Sequence, residues 1–521
     1  MTGRNRPAPL QLSATEPSEK KRDGRREVLA MALLLLVTCT IYGGRSFASR
    51  LILDFVSLSQ LDSKYRFLLQ SSFYWGYAPF QLIGGWFATR FGSKIAMLVA
   101  LTGITVGFLG TYALLSMPMD IEMKVVGVAG VRFLDGLSQC LFVPTVYVLY
   151  NAYVHPARHS KYRSAMSLGS RISRFVAATL EPWLVHGVFG AVAPVCAILG
   201  FFTSAVLVTW ACVLPSPSHD PESLANRVND TPNTVKWKKV KRTRPIALCG
   251  KEFWTLILYP ASIACALVHF SGNWTLTLVE SSSQRWYTDV ANISVTKATV
   301  YSSSPLLVGF ISPFVSVGIQ VLLADVLKVK RIWIRRWHSC SALVLTACAA
   351  WAITLPDSPN NVNICFGASI VMLFSGALHS AGYQSSYTEI AGAYVELVTH
   401  ACIYVDCDNK HVCVHAWTMV IARSNHFDWF RVFVLPRQSG ILSGFGNSVA
   451  NMAGFTVPWV IYELETSKFF NHDWTYIYSA TVILCGTVSV VYFVFVTDVA
   501  PLPEDPSSLA DDFNAKKRKT E

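Results

Sequence analysis

Residues 71–94 read SSFYWGYAPFQLIGGWFATRFGSK. From Ser71 to Ala88 the run is aromatic, aliphatic or small and carries no charge; it closes on Arg90 and Lys94, with Gly84, Gly85 and Gly92 near its end. About twenty such residues at 1.5 Å rise cross a bilayer core as a helix, and basic side chains at the exit hold that end on the cytoplasmic side. The glycines let the chain turn tightly and let neighbouring helices approach, a scaffold role rather than a ligand site. The stretch is the turn between two membrane helices.

Similar windows recur on both sides of it. They begin near Val28, Phe67, Ile95, Val125, Ser164 and Phe189, and, after a long polar link, near Phe253, Ala298, Ile334, Val362, Gln438 and Trp474. Of 521 residues, 52% are hydrophobic and 15% charged, with a mean hydropathy of +0.38. The windows are continuous rather than alternating, so helices and not a barrel follow. The expected organisation is an N-terminal tail (1–26), a six-helix half (27–214), a linker (215–252) with a basic cluster from Lys236 to Arg244, a second six-helix half (253–498) and a tail (499–521). The first apolar run is too long for a signal-peptide core and is expected to stay in the protein.

The net charge of +12 sits in short links and tails, which reads as topology and excludes nucleic acid as a partner. Arg90 and Lys94, then Arg158, Lys161 and Arg163, then the linker, then Lys328, Lys330, Arg331, Arg335 and Arg336 follow the even-numbered windows. Both termini are therefore expected on the cytoplasmic side of the lipid bilayer. The sequon Asn292-Ile293-Ser294 falls on the other side, as a glycosylation site or as a chance match. Several of the thirteen cysteines (Cys39, Cys140, Cys196, Cys265, Cys348, Cys485) lie in apolar windows as small hydrophobes, so no disulfide framework is expected.

Residues 393–435 break the pattern, with no sustained helical period and dense Cys, His and Asp. Cys402, Cys407, His411, Cys413 and His415 are soft ligands but match no closed zinc spacing. The simpler reading is an insertion, such as an intron translated in frame, because a link of that length is rare in a compact fold. No metal and no cofactor are expected.

The stretch 71–94, with VRFLDGLSQCLFVPTVY (131–147), PARHSKYRSAMSLGS (156–170), HFSGNWTLTL (269–278), RQSGILSGFGNSVANMAGFTVP (437–458) and HDWTYIYSA (472–480), resembles the anion:cation symporter group of the major facilitator superfamily. That group includes sialin, the vesicular glutamate transporters and the type I sodium–phosphate cotransporters. The resemblance implies an all-α, twelve-helix fold of two halves with inverted repeats, and secondary transport of a small organic or inorganic anion, with sodium or a proton as coupling ion. It implies no enzymatic chemistry. Two alternatives remain: an allantoate- or vitamin-type permease of the same superfamily, and a non-transporting receptor or scaffold derived from a carrier. Thr89 replaces the acid usual in the loop after the second helix, which puts the charge relay there in doubt.

Charge deep in a span costs about 2.5–3.5 kcal/mol even on insertion scales, so each case needs a reason. Arg45 and Arg132 stand where the resembling family carries cavity arginines that meet substrate charge. Guanidinium suits that task, since it stays protonated and can bind bidentately. The plainer alternatives are a snorkelling Arg45 and an Arg132 paired with Asp135, three residues on. Gln139 and Gln70 occupy positions where many relatives carry glutamate and histidine; neither amide can take up a proton. Gly272 replaces an arginine of the glutamate transporters, which argues against glutamate transport. Arg171, Arg174 and Glu181 share one face of the fifth window as cavity lining, as a salt-bridged packing face, or because that span begins later. Tyr74 and Asn447 divide between cavity and packing, and His269, read as the one deep histidine, between cavity and core.

Overall fold

The structure is a computed structural model that describes residues 17–154, 159–214, 254, 257–355, 362–376, 378–379, 382–383, 386, 436–470 and 473–496. Most of the linker, the insertion 393–435 and the side chains of Thr89 and Arg90 lie outside the described residues. The described helices group into twelve successive spans. Span one is Pro17–Leu58, span two Ser63–Tyr77 continued as Gln81–Phe91, and span three Ser93–Ser116. Span four is Ile121–Gln139 with Phe142–Tyr153, span five His159–Pro182 with the π-helical turn Trp183–Phe189, and span six Val192–Val213. Span seven is Pro260–Arg285 with the turn Trp286–Val290, span eight Val295–Ser303 with Pro305–Val321, and span nine Arg331–Ile353. Span ten is seen as Val362–Gly376, span eleven is Pro436–Asn451 with Ala453–Thr466, and span twelve Thr475–Phe495.

Seven helices among the described residues are by themselves long and apolar enough to cross a membrane. The remaining spans fall short for visible reasons. Span two is interrupted at Pro79 and span eleven at Met452; span five carries Arg171, Arg174 and Glu181; span nine opens on Arg331, Arg335 and Arg336; span ten is short. Several starts differ from the sequence reading; the helix of span one begins at Pro17 rather than near Val28, and that of span five at His159 rather than near Ser164. The turn Trp183–Phe189 belongs to span five, and the left-handed Gly190 (φ 65°) ends it, so span six starts at Val192 and not near Phe189. The long helix of span seven starts at Pro260 rather than near Phe253, since proline is at home in a first turn but not inside a helix.

Helix ends fix two faces. At the termini end Lys94 donates to the Leu214 carbonyl at 3.0 Å, and Arg336 to that of Val496 at 3.1 Å. At the far end the Tyr65 hydroxyl donates to Glu122 at 2.9 Å. The outer surface is apolar, with Phe201, Phe314, Ile311 and Ile483 all more than 60% exposed, as lipid-facing residues are.

Inside, glycines set the closest approaches. A Cβ on Gly76 of span two would collide with the Phe133 carbonyl, and one on Gly136 of span four with that of Phe73, so these two helices touch backbone to backbone. Gly92 (φ 86°) makes the turn into span three. Cys140, Cys196, Cys265 and Cys485 are buried as expected, whereas Cys348 is exposed on the lipid-facing side of span nine.

Candidate functional site

Spans one, two, four and five bring a row of arginines against spans seven, eight and eleven. Arg45 Nε donates to Gln139 Oε1 at 2.5 Å and Arg45 Nη1 to the Tyr77 hydroxyl at 3.1 Å. Its guanidinium lies over three rings, with centroids 4.4 Å (Tyr77), 5.3 Å (Tyr42) and 5.5 Å (Phe73) away. Nη2 is buried without a hydrogen-bond partner. No carboxylate among the described residues forms an ion pair with Arg45; its direct contacts are dipoles and π faces, with Asp135 the nearby carboxylate beyond Gln139.

Arg132 is different. Its Nη1 sits 2.9 Å from Asp135 Oδ2, both side chains are buried, and the guanidinium lies 4.8 Å from the Phe73 centroid. Gln139 joins the two arginines: its Nε2 donates to Asp135 Oδ1 at 2.5 Å while its Oε1 accepts from Arg45. A glutamate here would set a second carboxylate against Asp135; the amide supplies one donor and one acceptor instead. The ion pair faces a cavity of about 420 Å³ among spans one, three, four and six, lined by apolar groups such as Ile52, Phe55 and Phe108.

Arg174 Nη1 reaches Glu280 Oε1 of span seven at 3.2 Å, and its guanidinium lies 5.1 Å from the Tyr42 centroid. Arg171, one turn earlier, points at Gly309 of span eight and faces Arg174 and Tyr383; it forms no ion pair with a described carboxylate. Tyr74 packs against Gly454 of span eleven and stands among Glu280, Arg45, Arg174 and Arg132. Arg45, Tyr74, Arg171 and Arg174 thus gather where the first six spans meet the last six.

Other residues singled out in the sequence stand apart. Gln70 is half-buried on span two and makes no side-chain hydrogen bond among the described residues. The Asn447 backbone carbonyl accepts from Asn451 Nδ2 at 2.7 Å along the same helix, which commits the Asn451 side chain there. Glu181 lies two turns beyond Arg174, at the far end. His269 stacks on Tyr383 with centroids 4.6 Å apart. It is not the one deep histidine: His338 and His379 are buried as well.

His379 also accounts for Gly272. Any Cβ at Gly272 would collide with the His379 ring, so the position that carries arginine in glutamate transporters has no room for a side chain here. Beside it, a cavity of about 200 Å³ is lined by Ser271, Thr275, Thr346, Ser375 and His379, with no charge.

The far end is latched across the two sets of spans. Arg66 of span two lies 3.3 Å from Glu465 of span eleven, which also pairs with Arg285 of span seven, and Phe67 stacks on Tyr462 at 5.7 Å. Arg50 of span one reaches Gln284 of span seven at 3.4 Å. Glu280, Arg50 and Glu465 were missed in the sequence. The signal was there, a single charge inside or at the edge of an apolar window, but partners more than a hundred residues apart cannot be matched by spacing.

Comparison with known proteins agrees with this architecture. The chain is 26% identical over 340 residues to the uncharacterized transporter slc-17.2 of Caenorhabditis elegans, covering 62% of this chain and 64% of that protein. It is 22% identical over 462 residues to vesicular glutamate transporter 1 of Xenopus laevis, covering 85% and 68%. To probable anion transporter 7 of Oryza sativa subsp. japonica it is 22% identical over 365 residues, covering 68% and 77%. Its fold matches the crystal structure of a D-xylose-proton symporter with a TM-score of 0.60 at 11% identity, over 91% of this chain and 98% of that one. The sequence profile of the Major Facilitator Superfamily matches residues 34–399, and the chain belongs to that family as a multi-pass membrane protein.

Proposed function

We propose that the protein is a secondary active transporter that carries a small anion by alternating access between spans one to six and spans seven to twelve. One observation carries this reading: Arg45 is half-buried, its Nη2 is buried without a hydrogen-bond partner, its direct contacts are neutral, and it forms no ion pair with a described carboxylate, Asp135 lying beyond the Gln139 amide. A cation without an ion pair inside a span is costly, and an anion that enters and leaves supplies the missing charge. Arg171 is a second cation without a described counter-charge, and Arg174 is held by Glu280 across the interface. Arg132 does not face the anion directly in this reading. With Asp135 and Gln139 it fixes the position of Arg45. No covalent step is involved.

The relatives named for glutamate and for anions support an anionic substrate, while the closed space at Gly272 argues against glutamate itself. The termini end carries Lys94, Lys328, Lys330 and Arg336 and is assigned to the cytoplasm. Exposed Asn292 at the far end then faces the lumen or the exterior. Replacing Asn292 by Gln should remove a glycan-dependent mobility shift, and a shift that persists would reverse the orientation.

The test of function is uptake by purified protein in liposomes. A panel of labelled phosphate, monocarboxylates, dicarboxylates, sugar acids and ureido acids is offered under imposed sodium, proton and potential gradients. Saturable uptake of at least one anion, with neutral analogues excluded, is expected. Failure of every anion, with the protein folded and inserted, would favour a receptor or scaffold instead.

A further inference from the structure

The far end of the first six spans holds titratable side chains that the anion site does not use. Asp54 lies in the last two turns of span one, Glu181 is the penultimate residue of His159–Pro182, and His186 sits in the π-helical turn that follows. Glu181 is only 2% exposed, its carboxyl lies beside that of Asp54, and Glu181 Oε1 and Asp54 Oδ2 are both buried without a hydrogen-bond partner. His186 Nε2 lies 3.0 Å from Asp54 Oδ2; the imidazole side chain is 44% exposed and the Asp54 side chain 17%. Burial thus deepens stepwise from His186 to Asp54 to Glu181.

The groups facing this pair come from three spans. Arg50 of span one, itself buried, faces both carboxyls and also Glu280 of span seven. Cys196 of span six faces Glu181 as a neutral thiol. His186 completes the set from span five.

Ionised carboxylates only accept hydrogen bonds, so two adjacent buried carboxyls can bond to each other only when one of them takes up a proton. With both ionised, a single buried guanidinium would face two negative charges; one shared proton makes the group neutral. We propose that Asp54 and Glu181 together form the proton-binding site of this protein, reached from far-end water through His186, and that this proton moves with the anion.

The proposal rests on the transporter reading and adds the coupling ion to it. Arg50 links the two sites. When the carboxyl pair is fully ionised it holds Arg50 strongly; when a proton from far-end water settles on the pair, Arg50 is freer to attract Glu280. Glu280 is the partner of Arg174, so its hold on that guanidinium loosens and Arg174 becomes available to the anion. Proton and anion thereby favour each other's binding, which is the requirement of a symporter.

The experiment uses full-length wild type, Glu181→Gln and Asp54→Asn in proteoliposomes, with two transport readouts and one spectroscopic readout. The probe is whichever panel anion wild type exchanges. Wild type should accumulate it at least tenfold under an inward proton gradient, whereas Glu181→Gln should lose accumulation and keep anion exchange within about twofold. Infrared difference spectra at neutral pH should show a protonated-carboxyl band in wild type that is absent from Glu181→Gln and altered in Asp54→Asn. Undiminished, proton-driven accumulation by Glu181→Gln would overturn the site while leaving the transporter reading intact. Absence of the carboxyl band from wild type would overturn it as well. If no panel anion is exchanged but the band behaves as expected, the transporter reading fails and the proton site stands.

Discussion

Spans one to six and spans seven to twelve share a shape but not a chemistry. The interior of the first set holds Arg45, Arg50, Arg132, Arg171 and Arg174 with Asp135 and Glu181. The corresponding pocket of the second set is built from Ser271, Thr275, Thr346, Ser375 and the tightly packed His379. Its hydroxyls mostly donate to carbonyls of their own helices, as Thr275 does to Ser271 and Thr346 to Ala342, and they leave no net charge. The contrast assigns different work to the two sets: one meets ionic charge, the other closes over it by shape. The charges of the second set that meet the first lie outside that pocket: Glu280 of span seven reaches back to Arg174, and Glu465 of span eleven to Arg66.

The sharpest way to break this contrast is Arg45→Ala. Each charge-assisted hydrogen bond to an anion is worth about 1.5–3 kcal/mol, so loss of two should reduce transport at limiting substrate by about a hundredfold or more. Lysine should rescue poorly, since a point charge cannot bridge Gln139 and an anion as a planar fork does. Unchanged uptake kinetics in the alanine variant would remove the charged set from substrate binding.

Arg132 should behave as a structural charge. Arg132→Ala leaves Asp135 buried and unpaired, which costs about 3–5 kcal/mol of stability, whereas Arg132→Met combined with Asp135→Asn should recover most of the loss in a thermal unfolding assay. A stable single variant that fails only in transport would instead place Arg132 on the anion.

The neutral set is probed at Gly272. Gly272→Ala should destabilise by about 1–3 kcal/mol because the added methyl meets the His379 ring, and His379→Ala in the same chain should restore the space. If Gly272→Ala is silent, the ring moves freely and the neutral pocket is not a shaped wall.

How much of this could be read from residues alone follows from the range over which each interaction acts. Hydrophobic windows report on the local chain, so the twelve spans and most of their starts were legible, and a guanidinium in an apolar window announces itself. The partners were not. Whether Arg132 pairs three residues along its helix or faces substrate was open until the 2.9 Å contact with Asp135 was seen, and Glu280 comes 106 residues after Arg174. His379 escaped notice because its neighbours Ser380 and Gly382 make the segment look like an ending helix, although the ring packs against span seven. Residues 393–435 are outside the described residues, and the insertion reading stands as an expectation that transcript sequencing tests directly.

The smallest expected effect lies where the two sets are joined. Phe67 of span two stacks on Tyr462 of span eleven beside the Arg66–Glu465 pair, at the far end. An aromatic pair contributes about 0.5–1.5 kcal/mol beyond its buried area, which is a shift of at most about tenfold in the balance between latched and open far ends. Phe67→Leu keeps most of the apolar volume and removes the stacking, so it isolates that term while leaving the ion pair in place. Nitroxide labels at Asp62→Cys and Lys468→Cys, both on exposed far-end positions, report the separation of the two sets in a background without other accessible thiols. A modest growth of the long-distance population in Phe67→Leu, and a larger one in Glu465→Gln, is expected. The order should hold because Glu465→Gln leaves Arg66 and Arg285 facing each other with only Asp289 of span seven as a counter-charge, whereas the aromatic change leaves every charge paired. Equal distance distributions in all three proteins would mean that the latch does not set the balance, and that the closure observed at the far end is held by the helices themselves.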